Sequence, residues 1–336
     1  MAISLATSEE SAAHEEAGLS RGLPGRGSPS FRLIASFVAV YLIWGSTFFA
    51  IRVGLDSFPP LLLAGTRHLA AGSLLFLVFA RGAARPTRAQ WTTAAITGVL
   101  LLFGGNGGVC WAEQTVPSGI AALLVATVTL WMVLVDWIRP HGRRPSLRVL
   151  LGIVIGFAGM LVLVGPPRIG NSARVDPLGA GVLVLASLSW ACGSLYSKHG
   201  PLPASPLLAA GMQGLCGGAT LLVVGLLAGE GRHFHPASIT LGSWLAVAYL
   251  VIFGSMIGFS AYLYILKKST AARAATYAFV NPVVAIVLGW GFAGEQLSSR
   301  TLLAAAVILT AVVLVITAPE RAPRKVSGTL PAAGET

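Results

Sequence analysis

Charged side chains are what this sequence lacks most. Asp, Glu, Lys and Arg make up 10% of its 336 residues, where a water-soluble domain carries roughly a quarter. That scarcity excludes a chain folded in water around one core. Acidic residues are fewest, twelve in all, and they do not cluster. An integral-membrane enzyme acting on a lipid-linked substrate would gather His, Asp or Glu at the membrane surface. Here only Glu113, Asp136 and Glu295 fall near the ends of apolar runs, spread over both faces. Cysteine is limited to Cys110, Cys192 and Cys216. An odd number without metal-type spacing excludes a disulfide framework, and the three read as small core residues. His233 and His235 alone rarely make a metal site, so neither metal nor cofactor is expected. The glycine-rich run Gly104-Gly105-Asn106-Gly107-Gly108 has no preceding strand and no Lys-Ser/Thr ending, which argues against a nucleotide site.

Long apolar runs are abundant instead. Hydrophobic residues make up 55% of the chain, and runs of about twenty recur, the length that crosses a ~30 Å hydrocarbon core. Ten helices are expected, at about 33–54, 59–80, 91–112, 117–138 and 147–165, then 178–199, 205–228, 241–266, 271–291 and 300–317. Residues 1–31 and 318–336 read as polar cytoplasmic tails. The fold class expected is therefore an all-α integral membrane protein embedded in the bilayer. The net charge of +11 does not point to nucleic acid, because Lys and Arg sit in short connections rather than along a groove. With the N-terminus cytoplasmic, seventeen of them fall on inner segments, Arg143, Arg144, Arg273, Arg321, Arg324 and Lys325 included. Five fall outside: Arg52, Arg168, Arg174, Arg232 and Arg300. Both chain ends are expected inside.

One stretch occurs twice. Trp44-Gly45-Ser46-Thr47-Phe48-Phe49-Ala50-Ile51-Arg52 has a second version 146 residues on, Trp190-Ala191-Cys192-Gly193-Ser194-Leu195-Tyr196-Ser197-Lys198. Pro60, Ala64, Gly65 and Gly72 meet Pro206, Ala210, Gly211 and Gly218 at the same spacing. Farther on, Trp91, Gly105 and Trp111 meet Trp244, Gly258 and Tyr264, 153 residues apart. The chain is thus two related halves, 33–165 and 178–317. Five helices per half is an odd number, so the second half enters the membrane from the opposite face. Inverted repeats of this kind are a common plan for secondary transporters, with the site at mid-membrane between the repeats.

Polar and aromatic groups at helix depth are the candidates for that site, because in hydrocarbon they need a partner or a cavity. They are Trp44, Ser46, Asn106, Trp111, Trp131, Trp190, Tyr196, Tyr264, Tyr277 and Asn281. Ser46 and Thr47 serve equally well bonded to their own helix, and the glycines around Asn106 equally well as a packing notch. Asn281-Pro282 is expected to break the ninth helix and free carbonyls near Tyr277. Arg67 is the costliest charge, either the counter-ion of an anionic substrate or a cation with a carboxylate partner. Glu113 reads as a solvated residue at the outer interface or a proton-coupling carboxylate. Glu295 reads as a structural residue facing Arg300 or a loop, and Asp136 as an ion-pair partner of nearby arginines.

Taken together, Trp44-Gly45-Ser46-Thr47-Phe48, Pro117-Ser118-Gly119-Ile120-Ala121-Ala122, and Tyr277-Ala278-Phe279-Val280-Asn281-Pro282-Val283-Val284-Ala285 followed by Gly294-Glu295 resemble the EamA family of the drug/metabolite transporter superfamily. The likeness is to its YedA-type bacterial inner-membrane branch. The resemblance implies ten helices in two inverted repeats, alternating access, and proton-coupled export of small metabolites, amino acids or drugs. One departure is Thr129 in Val128-Thr129-Leu130-Trp131, where the family pattern has proline. The resemblance leaves substrate, direction, coupling ion and oligomeric state open.

Overall fold

The computed structural model describes residues 31–139, 145–164, 175–232, 234–269 and 274–318. The tails at 1–30 and 319–336, together with Arg143, Arg144, Arg168, Arg174, His233 and Arg273, lie outside them. The described residues are helical and contain no strand. We number the helices α1 (Phe31–Gly54), α2 (Pro60–Phe79), α3 (Arg88–Ala112), α4 (Ser118–Ile138), α5 (Leu147–Val164), α6 (Pro177–His199), α7 (Pro206–Leu227), α8 (Leu241–Lys268), α9 (Tyr277–Phe292) and α10 (Ser299–Ile316). Seven of them, α1 to α4 and α6 to α8, are long and apolar enough to cross a membrane. Within α5, α9 and α10 the apolar stretches are shorter.

Local sequence explains where the helices start. Pro60, Pro177 and Pro206 stand in the first turns of α2, α6 and α7, where the missing N–H is no loss. Thr87 and Gln90 form a capping box on α3, and Ser205, Thr240 and Ser298 cap α7, α8 and α10. Each satisfies a backbone donor that hydrocarbon or its boundary would leave bare.

Other N-termini are capped from a distance. Glu230, beyond α7, accepts from Leu61 N and Leu62 N at 3.2 and 2.9 Å on α2. Glu295, beyond α9, accepts from Ser118 N and Oγ, both at 2.7 Å, and from Gly119 N at 3.1 Å on α4. Asp176 caps α6 through Leu178 N and Gly179 N and also accepts from Thr115 Oγ1 at 2.7 Å. We call this end of the bundle the far face. At the opposite, near face Lys198 Nζ covers the C-terminus of α8, donating to Leu266 O and Ser269 O, and Lys267 Nζ donates to Ala204 O in the α6–α7 connection. Carboxylates at N-termini and ammoniums at C-termini complement the helix dipoles. Glu295 thus caps α4 from the connection after α9, and Asp136 pairs with Arg139 at 3.0 Å.

The most extensive helix contact joins α2 to α7. It rests on backbone proximity: a Cβ on Gly72 would stand 2.5 Å from Leu215 N, and one on Gly218 would press against Leu69 N. Around this pair, α1 packs on α8 and α9, α6 packs on α3 and α4, and α5 pairs with α10.

Two helices are wound wide rather than broken. In α3 the run Val99–Gly107 is π-helical, and in α8 the run Leu250–Gly258 is as well. The glycine-rich stretch around Asn106 is therefore a widening, not an interruption. Pro282 likewise lies inside a continuous α9, and the irregular residues come six and seven positions earlier, at Thr276 and Ala275. The fourth helix, where Thr129 replaces the proline of the family pattern, is interrupted at Ala126 and Thr127. Thr127 Oγ1 takes up Leu124 O there at 2.6 Å.

Candidate functional site

The widened runs bracket a cavity at the centre of the bundle. Trp44 of α1 packs against Gly258 of α8, where a Cβ would lie 2.6 Å from its Nε1. Trp190 of α6 packs against Gly105 of α3, where a Cβ would lie 2.8 Å from its ring. Each half lends the other a side chain at its wide turn: Trp44 Nε1 donates to Gly254 O at 3.2 Å and Ser189 Oγ to Leu100 O at 2.7 Å. Widening takes carbonyls off the ordinary i to i−4 ladder, and these donors reach two of them.

The two indoles meet edge to face at 5.3 Å between ring centres. Tyr262 and Tyr277 complete an aromatic cluster, at 5.0 and 5.2 Å from Trp44. The Tyr262 hydroxyl shares a 2.6 Å hydrogen bond with Ser194. The indole N–H of Trp190 is buried beside the Tyr262 and Tyr277 hydroxyls. Asn281, with its amide nitrogen turned toward the main chain, donates to Tyr41 O and Tyr277 O at 3.2 Å each.

The cavity is lined by Trp44, Thr47, Arg67, Asn106, Trp190 and Tyr277, with Asn281, His68, Ser187 and Gly254 also on its wall. It offers about 70 Å³ to the centres of water-sized molecules, where one water needs roughly 10–15 Å³. Several waters or a small solute fit; a bulky amphiphile does not fit in this conformation. The α2 cation reaches this space. Arg67 is 2% exposed, its Nη2 donates to Asn106 Oδ1, and its Nε has no partner among the described residues. His68 beside it is buried, with Nε2 also unpartnered.

The structure thus brings together Trp44, Asn106, Trp190, Tyr277, Asn281 and Arg67. It does not bring the remaining candidates to the same wall. Ser46 Oγ donates to Ile43 O and bonds the Tyr249 hydroxyl at 2.6 Å, and Thr47 Oγ1 donates to Trp44 O. Both hydroxyls donate back to their own helix, and Ser46 also bonds across to α8. Trp131 stands edge-on to Phe157 at 5.2 Å. Tyr196 is half-exposed and lines a wide groove with Val135, Ile138 and Arg139. Trp111 is partly buried against the main core, and Tyr264 is partly buried near the C-terminus of α8.

Glu113 departs from the solvated interfacial residue that its position at a helix end suggests. It is 0% exposed, and neither carboxylate oxygen has a hydrogen-bond partner among the described residues. It lies seven residues past Asn106, at the C-terminal cap of α3. Arg52 Nη1 donates to its main-chain carbonyl at 3.0 Å. Thr47, weighed with Ser46, stands on the wall; the wall residues missed, His68, Ser187 and Gly254, lie in apolar runs without a motif to single them out.

A family model matches nearly all of this architecture. It is that of the EamA-like transporter family, over residues 32–165 and again over 177–317. The chain belongs to the EamA-like transporter family. Among its relatives is the uncharacterized inner membrane transporter YedA of Escherichia coli K12, 43% identical over 285 residues, covering 84% of this chain and 90% of that protein. A probable amino-acid metabolite efflux pump of Salmonella typhimurium is 29% identical, over 79% of this chain and 90% of that one. A crystal structure of a protein 22% identical superposes with a TM-score of 0.61, covering 86% of this chain and 98% of that chain, and shares the fold. This EamA chain is a multi-pass inner-membrane transporter and not an enzyme.

Proposed function

We propose that this EamA transporter is a secondary exporter of a small organic solute, working by alternating access between two inverted five-helix repeats. In this reading α1 to α10 all span the bilayer, the near face and both chain ends are cytoplasmic, and a proton gradient drives transport. The observation that carries it is the central cavity. Its two indoles, 146 residues apart in sequence, each rest on a glycine of the other half, and those glycines are 153 residues apart. A site built from equivalent groups of both repeats can be exposed to either side by rocking one against the other.

Glu113 supports proton coupling. A carboxylate buried without a partner is costly in its charged form, so it suits a group that gains and loses a proton through the cycle. Arg52, Arg67 and Glu295 are the charged groups whose fields reach it.

The test is flux in vesicles reconstituted with the full chain under an imposed pH gradient, across carboxylates, amino acids and cationic dyes. Gradient-dependent movement of at least one class, lowered roughly tenfold or more by Trp44→Ala or Trp190→Ala with the protein still folded, is expected. No gradient-dependent flux of any class would remove this reading.

A further inference from the structure

The charge balance of the cavity names a class of solute. Arg67 presents five N–H donors, and Asn106, a neutral amide, takes only one of them. Among the described residues no carboxylate lies within 4.0 Å of it. The lining contains no Asp or Glu; its ionisable members are Arg67, His68 and Tyr277. Glu113 acts on Arg67 electrostatically but sits beyond Val109 and Cys110 on α3 and makes no ion pair with it. A buried guanidinium left in this state is expensive. It is relieved by an acceptor that brings the opposite charge, and a carboxylate matches its planar fork with two parallel hydrogen bonds.

Resting on the reading of the cavity as the substrate site, we propose that it takes a small organic anion. The acidic group, a carboxylate or an equivalent planar oxyanion, lies on Arg67 with His68 beside it, and the apolar body lies against Trp44, Trp190 and Tyr277. With no acid on the wall, an ammonium finds no counter-charge there. Cationic solutes are rejected, and a net anion is preferred to a zwitterion of the same size. Asn106 holds the guanidinium in place without neutralising it.

The experiment is equilibrium dialysis on the purified full chain with four radiolabelled probes of one skeleton: phenylacetate, phenylacetamide, phenethylamine and phenylglycine. Sodium chloride titrated against sodium sulfate, which offers no carboxylate, at constant ionic strength tests for a halide in place of the organic anion. The expected order is phenylacetate tightest, with the amide weaker by roughly tenfold or more, the size of a lost charge-assisted contact. Asn106→Asp places a carboxylate on Arg67 at constant size and is expected to abolish phenylacetate binding, while size-exclusion chromatography shows an unaltered particle. Should Asn106→Asp not fold, the wild-type order of the four probes decides alone.

Equal binding of acid and amide, tighter binding of the amine, or phenylacetate binding that survives Asn106→Asp overturns the anion proposal. So does full displacement of phenylacetate by an equal concentration of chloride. If gradient-driven flux of a neutral or cationic solute persists and depends on Trp44, the transport reading stands while this one falls. If no probe binds and no solute moves, both fall.

Discussion

Single residues at the far face do electrostatic work that can be read in pH. The Thr115 hydroxyl, with the Leu178 and Gly179 amides, holds the Asp176 carboxyl below the usual carboxylate range. A group with a depressed folded value stabilises above its unfolded value, about 3.9, and loses that contribution as pH falls through the folded one. Asp176→Asn is therefore expected to lower the thermal midpoint at pH 7, and the gap from wild type to close below about pH 4. A pH-independent gap in scanning fluorimetry would contradict this. Glu295→Gln weakens three contacts to the start of α4 and is expected to cost about 1–2 kcal/mol, read as a lower midpoint with binding affinity retained. Glu113→Gln is expected to abolish acceleration of flux by a pH gradient while leaving exchange of labelled for unlabelled solute. Continued gradient response would take the coupling role from Glu113.

Much of the site at this scale was legible in the sequence. Arg67 and Asn106 announce themselves as polar groups that hydrocarbon does not tolerate unpartnered, and Trp44 and Trp190 as a repeated pair. Trp131, Tyr196 and Tyr264 look the same on paper because α4, α6 and α8 are apolar on every side, so composition does not set which way each helix is turned. Glu113 was misplaced because a helix end usually means water. Here Arg52 of α1 and the far-face packing cover it instead.

At the scale of elements, the halves are bound by α2 against α7, and the glycines there were visible as a spaced set. Gly218→Ala drives a methyl into the Leu69 main chain and is expected to destabilise by roughly 1–3 kcal/mol. A conservative change elsewhere on α7, such as Val223→Ala at a half-exposed position, is expected to cost less; equal losses would show that the crossing is not tight. The widening of α3 and α8 was not legible. Glycine run and apolar pattern are compatible with a break, a notch or a π-turn, and only the side chains lent by the opposite half, Ser189 and Trp44, decide among them.

For the whole molecule, the direction of each helix follows from which ends share a face. Asp56, Glu230 and Ala293 belong to the far face, with the caps on α2 and α4; Ala83 and Lys268 belong to the near face. Single cysteines at Asp56 and Ala293 are expected to react with an impermeant maleimide from outside intact cells, and those at Ala83 and Lys268 only after permeabilisation. Native Cys110, Cys192 and Cys216 lie within helices and form the background. Labelling of both sets from one side would undo the inverted arrangement.

The wide turns of α3 and α8 also hold spare length. A π-turn takes up one more residue than an α-turn, so rewinding one would slide the rest of the helix by about 1.5 Å and swing it by about 100°. Applied to α3, such a click would carry Asn106 off Arg67, turn Glu113 toward a new neighbour and shift the far end of the helix by the same step. The molecule thus carries, in two places beside one chamber, a ratchet tooth of a single amino acid.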